Sequence, residues 1–396
     1  MMGGDAARDG WRSVRFGDVV RQVKETASDP EGAGFTRVVG LNHLDSDSLR
    51  VTRWNNLANM PDGTSFTRIF RAGQVLFGKR RAYQRKVAVT EFDGVCSGDI
   101  LVFESSSAEL LPDFLPYLVQ SDGFFDHALG TSAGSLSPRT KWQDLSRYEF
   151  ELPPLSHQAL AVEILGATRE VAESVEAAAE RLNELVEGVI SGHYRTLSDA
   201  APAALVTEMA VLTMGRQKAP KYDLGSNPTP YVRVANVGHL ELLLDELEVM
   251  DFDAMDLARF RLKPGDVLLT EGDIVSPLNV GRSAVFPEDG PTCCFQNTLI
   301  RLRATEDIDP TYLMAMIEGA RLSGVLAATA NTTTVSHLGL RRLSEVRLPL
   351  ANAELQRQIG AEVTSLLAFR TKLRDFRNRT SPVDRALRDR LMKAGA

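Results

Sequence analysis

The chain has 396 residues, of which 43% are hydrophobic and 24% charged, and it carries a net charge of −7. That length allows two or three domains, each with its own core, while the acidic balance argues against a free-standing nucleic-acid binder. No long apolar run and no basic, apolar leader is present, and Cys96, Cys293 and Cys294 lack CxxC spacing, so the sequence supports neither membrane span, secretion signal, disulfide framework nor zinc site, and the expected location is the cytoplasm.

Gly73–Arg81, GQVLFGKRR, matches the glycine spacing of a nucleotide-binding P-loop. Arg80 stands where a magnesium-binding hydroxyl belongs, and Gln74 to Phe77 reads as a strand, so nucleotide binding is not expected. From Arg68 to Lys86 the basic residues are Arg68, Arg71, Lys79, Arg80, Arg81, Arg85 and Lys86, with no acid among them. The KRRAYQRK segment is expected on an exposed loop after the strand. Lys79, Arg80, Arg81, Arg85 and Lys86 suit DNA phosphates, Arg and Gln84 suit base edges, and Tyr83 is counted with this DNA-binding loop, more as a packing anchor than as a base reader.

PDFLPYLVQSDGFFDHAL reads as helix, and the GTSAG that follows it puts Ser132 after a helix rather than in the strand-to-helix turn a hydrolase nucleophile needs. The polar SAGSLSPRTKW offers Ser135, Ser137, Arg139 and Lys141 for phosphate and base contacts. RYEFELPPL reads as an alternating strand halted by proline.

The strongest periodic signal comes next. Ile164, Thr168, Val171, Val175, Ala178, Leu182, Leu185 and Val189 step by 4, 3, 4, 3, 4, 3 and 4, the seam of a coiled coil, on a helix expected from about Ser156 to Tyr194. A stripe that narrow predicts a second helix as its partner, the alternative being a cap on the helix's own domain. Arg195–Leu205 is expected to be a linker.

In the second half, GRQKAPK supplies Arg216, Gln217 and Lys218, and VGRSAVF supplies Arg282. SNPTP lacks the aromatic with which an adenine methyltransferase stacks a flipped base. Glu271 and Asp273 in TEGDIV could form a magnesium-dependent nuclease site, with no lysine suitably placed after them. ANTTTVSHLG places Thr332, Thr333 and Thr334 where the first half has its polar loop. The histidines (His43, His127, His157, His193, His239, His337) show no HxxxH spacing. After Ala353, Ile359, Val363, Leu366, Phe369, Leu373 and Phe376 form the second helical stripe, with a further helical stretch expected after Pro382.

The halves repeat one plan. FRAGQVLF matches LKPGDVLL, with Gly73 opposite Gly265, and RYEFELPPL matches LSEVRLPLA at nearly the same offset. Strands and helices mix in both, so each unit is expected to be α+β, and no catalytic constellation emerges in either.

The order FGKRRAYQRK, GVCSGDILV, LPDFLPYLVQSDGF, SAGSLSPRTKW, LPPLSHQ resembles the target recognition domain of a type I restriction-modification specificity subunit. PYVRVANVGHLEL, LKPGDVLLTEGD, VGRSAVF, FQNTLIRLR, YLMAMIEGARLSG, NTTTVSHLG resembles a second such domain of another subclass. The resemblance implies an α+β architecture of two recognition domains, residues 1–155 and 196–350, separated by two long antiparallel coiled-coil helices, 156–195 and 351–396, the latter including a C-terminal helix. It implies a non-catalytic, DNA-binding subunit that reads a bipartite target in double-stranded DNA and positions two modification (methyltransferase) subunits and restriction subunits. No cofactor is then expected in this chain; S-adenosylmethionine, ATP and magnesium would belong to the partners. The alternatives are a self-contained nuclease using Glu271 and Asp273, or a coiled-coil protein adaptor. LPLANAELQRQ departs from the pattern Pro-Pro-Leu-x-x-Gln and leaves the start of the second helix open.

Overall fold

The computed structural model describes residues 10–134, 137–219, 227–273, 280–329 and 336–392. The chain divides into two compact units, residues 1–174 with 377–396, and residues 175–376.

In the first unit Arg12–Arg15 pairs antiparallel with Glu149–Leu152. A single helical turn, Phe16–Val19, then leads into an antiparallel sheet ordered Val20–Val23, Ile100–Ser105, Val75–Gly78, Val87–Val89. Val75–Gly78 is buried along its whole length, which is why its sequence is apolar without alternation. A smaller sheet is ordered Asn55–Asn56, Arg37–Val39, Gly94–Cys96, Arg68–Phe70, with the middle pair parallel. Helices Leu115–Gln120 and Asp122–Gly130 bury Phe124 and Phe125 with Phe16, Phe77 and Phe103 in one cluster.

The second unit repeats these parts. Ala203–Leu205 pairs with Arg347–Pro349, a turn follows at Val206–Met209, and the sheet runs Ala210–Met214, Leu299–Ala304, Val267–Thr270, Ser283–Val285. The smaller sheet has Glu248–Asp251, Pro228–Val232 and Cys294–Phe295, again with one parallel pair. Where the first unit has Arg68–Phe70 before its turn glycine, the second has a helix, Ala254–Phe260. Gly73 and Gly265 both sit at φ +83°, a conformation that side chains disfavour, which explains the glycine common to the two sequences. The three cysteines are buried, and burial pushes each thiol up to about 12, as small apolar groups would require.

Two long helices, Leu155–Ala200 and Ala353–Leu391, contribute residues to both units. The first outruns the expected end at Tyr194, so most of the expected linker is helix, and only Ala201 and Pro202 separate it from the next strand. The second passes through Pro382 as one helix rather than breaking into a separate C-terminal one. Within the first unit the helices are antiparallel: the His157 ring meets the Leu391 carbonyl oxygen at 3.0 Å, and Thr168 Oγ1 donates to Asp384 at 2.7 Å. Within the second unit His193 Nε2 lies 2.8 Å from Glu362.

One buried glutamine locks the start of each helix. The Gln158 amide donates to the Pro153 carbonyl at 2.8 Å and accepts from the Leu111 N–H at 2.8 Å. Gln356 donates to the Ala351 carbonyl at 2.9 Å and accepts from the Asp309 N–H at 3.0 Å. Both amides therefore reach five residues back and 47 residues back. The second helix starts where the glutamine, not the prolines, dictates.

The expected seam is only partly the buried face. Leu182, Ile359 and Val363 are buried, while Ile164, Val175, Val189, Leu366 and Leu373 are half-buried. Val171 (52% exposed) and Leu185 (51%), with Ala178, face outward. In their place Ala161 and Leu165 enter the first unit's core, and Val186, Ile190 and Leu197 enter the second's beside Ile359 and Val363. The reason is period. Residues at 182, 186, 190 and 197 follow the 3.6-residue turn of a straight helix, whereas a strict seven-residue repeat drifts about 20° per heptad. The helices thus pack on domain core as well as on each other.

Candidate nucleic-acid interface

In the first unit the two polar loops expected to meet DNA are joined into one surface. The Arg81 N–H donates to the Pro138 carbonyl at 2.8 Å, the Thr140 N–H to that of Lys79 at 3.1 Å, and Arg80 bridges to Arg139. Asp99, at the entrance to the strand Ile100–Ser105, organises the cations. Its carboxylate accepts from Arg139 Nε at 2.9 Å and lies 3.7 Å from Arg80, whose own Nε donates to Ser137 Oγ at 2.6 Å. The hydrogen bond from Arg139 holds the Asp99 carboxyl below the usual range, and burial pulls Lys79 down. Lys79, Arg80 and Arg139 outnumber that single acid. Lys141 is exposed beside them, just ahead of the turn Trp142–Leu145. Asp99 gave no signal in sequence beyond a Gly-Asp turn before an apolar strand.

Other residues of the loop are placed differently from expectation. Arg85 is held inward: its side chain is 13% exposed, ion-paired to Asp47 at 2.8 Å and Asp122 at 2.9 Å, and its guanidinium lies 4.5 Å from the Phe125 ring centre. Lys86 Nζ donates to the Leu41 carbonyl at 2.6 Å, and Gln84 is half-buried. Tyr83, expected to anchor packing, is instead 56% exposed. Arg81 and Arg85, on either side of the turn Ala82–Gln84, are both left-handed, at φ 55° and 50°, each costing about 1–2 kcal/mol that the surrounding bonds must offset.

The second unit makes the same join with different residues. The Leu338 N–H donates to the Glu271 carbonyl at 2.8 Å, and Gly272 and Asp273 pair with His337 and Ser336. Lys79–Arg81 and Glu271–Asp273 therefore occupy corresponding places, each following the central strand of its sheet. Ser135, Thr332, Thr333 and Thr334 lie outside the described residues. Arg216 departs from expectation: it is buried, 2.7 Å from Asp256, bonded to the Asp251 carbonyl and stacked over Phe252. Gln217 is exposed, Lys218 pairs with Glu248 at 3.0 Å, and Arg282 is half-buried, its carbonyl accepting from the Thr270 N–H. Ser132, of the GTSAG sequence, donates its hydroxyl to the Ala128 carbonyl at 2.8 Å. Among the described residues no group of three or more His, Cys, Asp or Glu is arranged to hold a metal, and no helix is long and apolar enough to cross a membrane.

No family model matches the chain. It is 28% identical over 190 residues to the specificity subunit of the type I restriction enzyme EcoDI of Escherichia coli; the match spans 47% of this chain and 41% of that relative. Among solved structures, a chain from a study of complex assembly and conformational transition of the type I restriction-modification system superposes with a TM-score of 0.60 at 20% identity, over 98% of both chains. The S subunit of a type I restriction-modification system from M. genitalium gives a TM-score of 0.59 at 11% identity, over 100% of this chain and 99% of that one. In sequence over about half its length, and in fold over nearly all of it, this chain is similar to the specificity subunits of type I restriction-modification systems.

Proposed function

We propose that the chain is a non-catalytic specificity subunit that binds double-stranded DNA, reads one half of a two-part target with each unit, and positions modification and restriction subunits there. The observation that carries this reading is the repetition of one sheet order and one loop-to-loop join with different residues at the join. A constant scaffold with variable loops is what two different half-sites require. The name of the Escherichia coli relative supports the same reading.

The long helices suit the docking of partner helices. Val171, Ala178 and Leu185 on the first, and Phe369, Phe376 and Val383 on the second, are exposed and spaced seven apart. Such stripes are the seams that helices of modification subunits would cover. S-adenosylmethionine, ATP and magnesium would be held by those partners, in the cytoplasm where the DNA lies. A net acidic subunit fits an assembly in which partners supply much of the positive field.

Sequencing methylated adenines in cells with and without the gene tests the proposal. Loss of a single two-part motif is expected; an unchanged methylation pattern would overturn it.

A further inference from the structure

We infer that Tyr83 is a base-edge probe for the DNA half-site read by the first unit, and that Arg85 is a positioning residue holding it in place. The inference rests on the proposed DNA-binding role and goes beyond it by separating the residue that touches bases from the one that aims it.

Tyr83 combines three features that a packing residue lacks. It is a large aromatic side chain left 56% exposed, next to Ala82, which is 1% exposed and sunk in the domain core. It sits in the middle of a one-turn segment whose flanks, Arg81 and Arg85, are both left-handed. Its own loop and the loop joined to it carry Lys79, Arg80, Arg139 and Lys141, with Asp99 the acid among them. Cations that can engage phosphates beside an exposed ring suit a duplex groove, where phosphate contacts position the protein and an aromatic edge can make the apolar base contact that distinguishes a thymine methyl.

A probe is useful only if it is rigid, and the turn is tied at both ends. On one side the Arg81 N–H donates to the Pro138 carbonyl at 2.8 Å. On the other, Arg85 makes two ion pairs and also donates to the Gln120 carbonyl at 2.8 Å, while its own carbonyl accepts from the Asp47 N–H at 3.1 Å. The Arg85 guanidinium is spent on Asp47, Asp122 and Phe125, so it contributes to recognition through Tyr83 rather than by contact.

The test uses the full chain assembled with its modification subunits and a pool of duplexes randomised over the target length, from which bound DNA is recovered and sequenced. Tyr83→Ala should flatten base preference in one half of the enriched motif, leave the other half intact, and weaken binding about tenfold, the loss of one base-edge contact. Tyr83→Phe should keep the preference, because the ring does the work. Arg85→Gln should flatten the same half as Tyr83→Ala without changing the salt dependence of binding, and Arg85→Lys should restore part of it. An unchanged motif in Tyr83→Ala overturns the probe, and so does a Tyr83→Phe variant as defective as the alanine. A salt slope lowered by about one in Arg85→Gln would mean a direct phosphate contact and overturn the positioning role. Tyr83→Ala removes only an exposed ring, so the test stands even if Arg85→Gln fails to fold. If wild type itself enriches no two-part motif, the parent reading fails and this inference with it; a wild-type motif indifferent to Tyr83 defeats the inference alone.

Discussion

The joined loops of the first unit present Lys79, Arg80 and Arg81 where those of the second present Glu271, Gly272 and Asp273. The strands beneath them are ordered alike, both preceded by a glycine at φ +83°, and both long helices carry a buried glutamine in their first turn. The backbone join is thus kept while the residue types along it change from basic to acidic. Such a division lets one fold read unrelated sequences, since base edges are distinguished by side chains and not by the sheet behind them.

The largest expected effect concerns what is common to the units. Ile190→Ala, on the buried stripe, should cost about 2–5 kcal/mol of stability, whereas Leu185→Ala, on the outward stripe, should stay within about 0.5 kcal/mol. Urea unfolding of the two variants checks this, and equal losses would return the heptad residues to the interior. Gln158→Leu and Gln356→Leu should each cost about 2–4 kcal/mol, because each strands a part-buried N–H and a buried carbonyl. Similar losses in the two variants support equivalent locks; a silent Gln356→Leu would break the equivalence.

Smaller effects should distinguish the units. Arg139→Gln should lower the salt slope of DNA binding by about one while leaving the fold intact, a change that salt titration of the assembled complex reads directly. The smallest effect is a pH dependence. Because Arg139 depresses the folded-state Asp99 carboxyl, the stability it gives is present above the unfolded carboxylate value and lost as pH falls through the lower folded value. Thermal melting from neutral to acid pH should therefore show wild type losing its advantage over Asp99→Asn only at the acid end.

Much of this was legible in the sequence because it depends on local chemistry. The duplicated turn glycines, the proline-halted strands and the polar loops each announce themselves within ten residues. Partners distant in the chain did not. Arg85 and Arg216 have the composition of DNA contacts, yet Asp47, Asp122 and Asp256 claim them, and no spacing in the sequence links those residues. The buried face of the first long helix is hidden in the sequence for another reason: it carries two apolar stripes, and periodicity does not say which one a domain core will cover. The blurred start of the second helix hid a constant, the glutamine, behind the loss of two prolines.

The most direct test of the account is the double variant Arg80→Gln with Arg139→Gln, assembled with its modification subunits and assayed against targets altered in one half at a time. The account predicts weakened recognition of one half-site and unchanged discrimination at the other. Equal loss at both halves would contradict the assignment of one unit to one half.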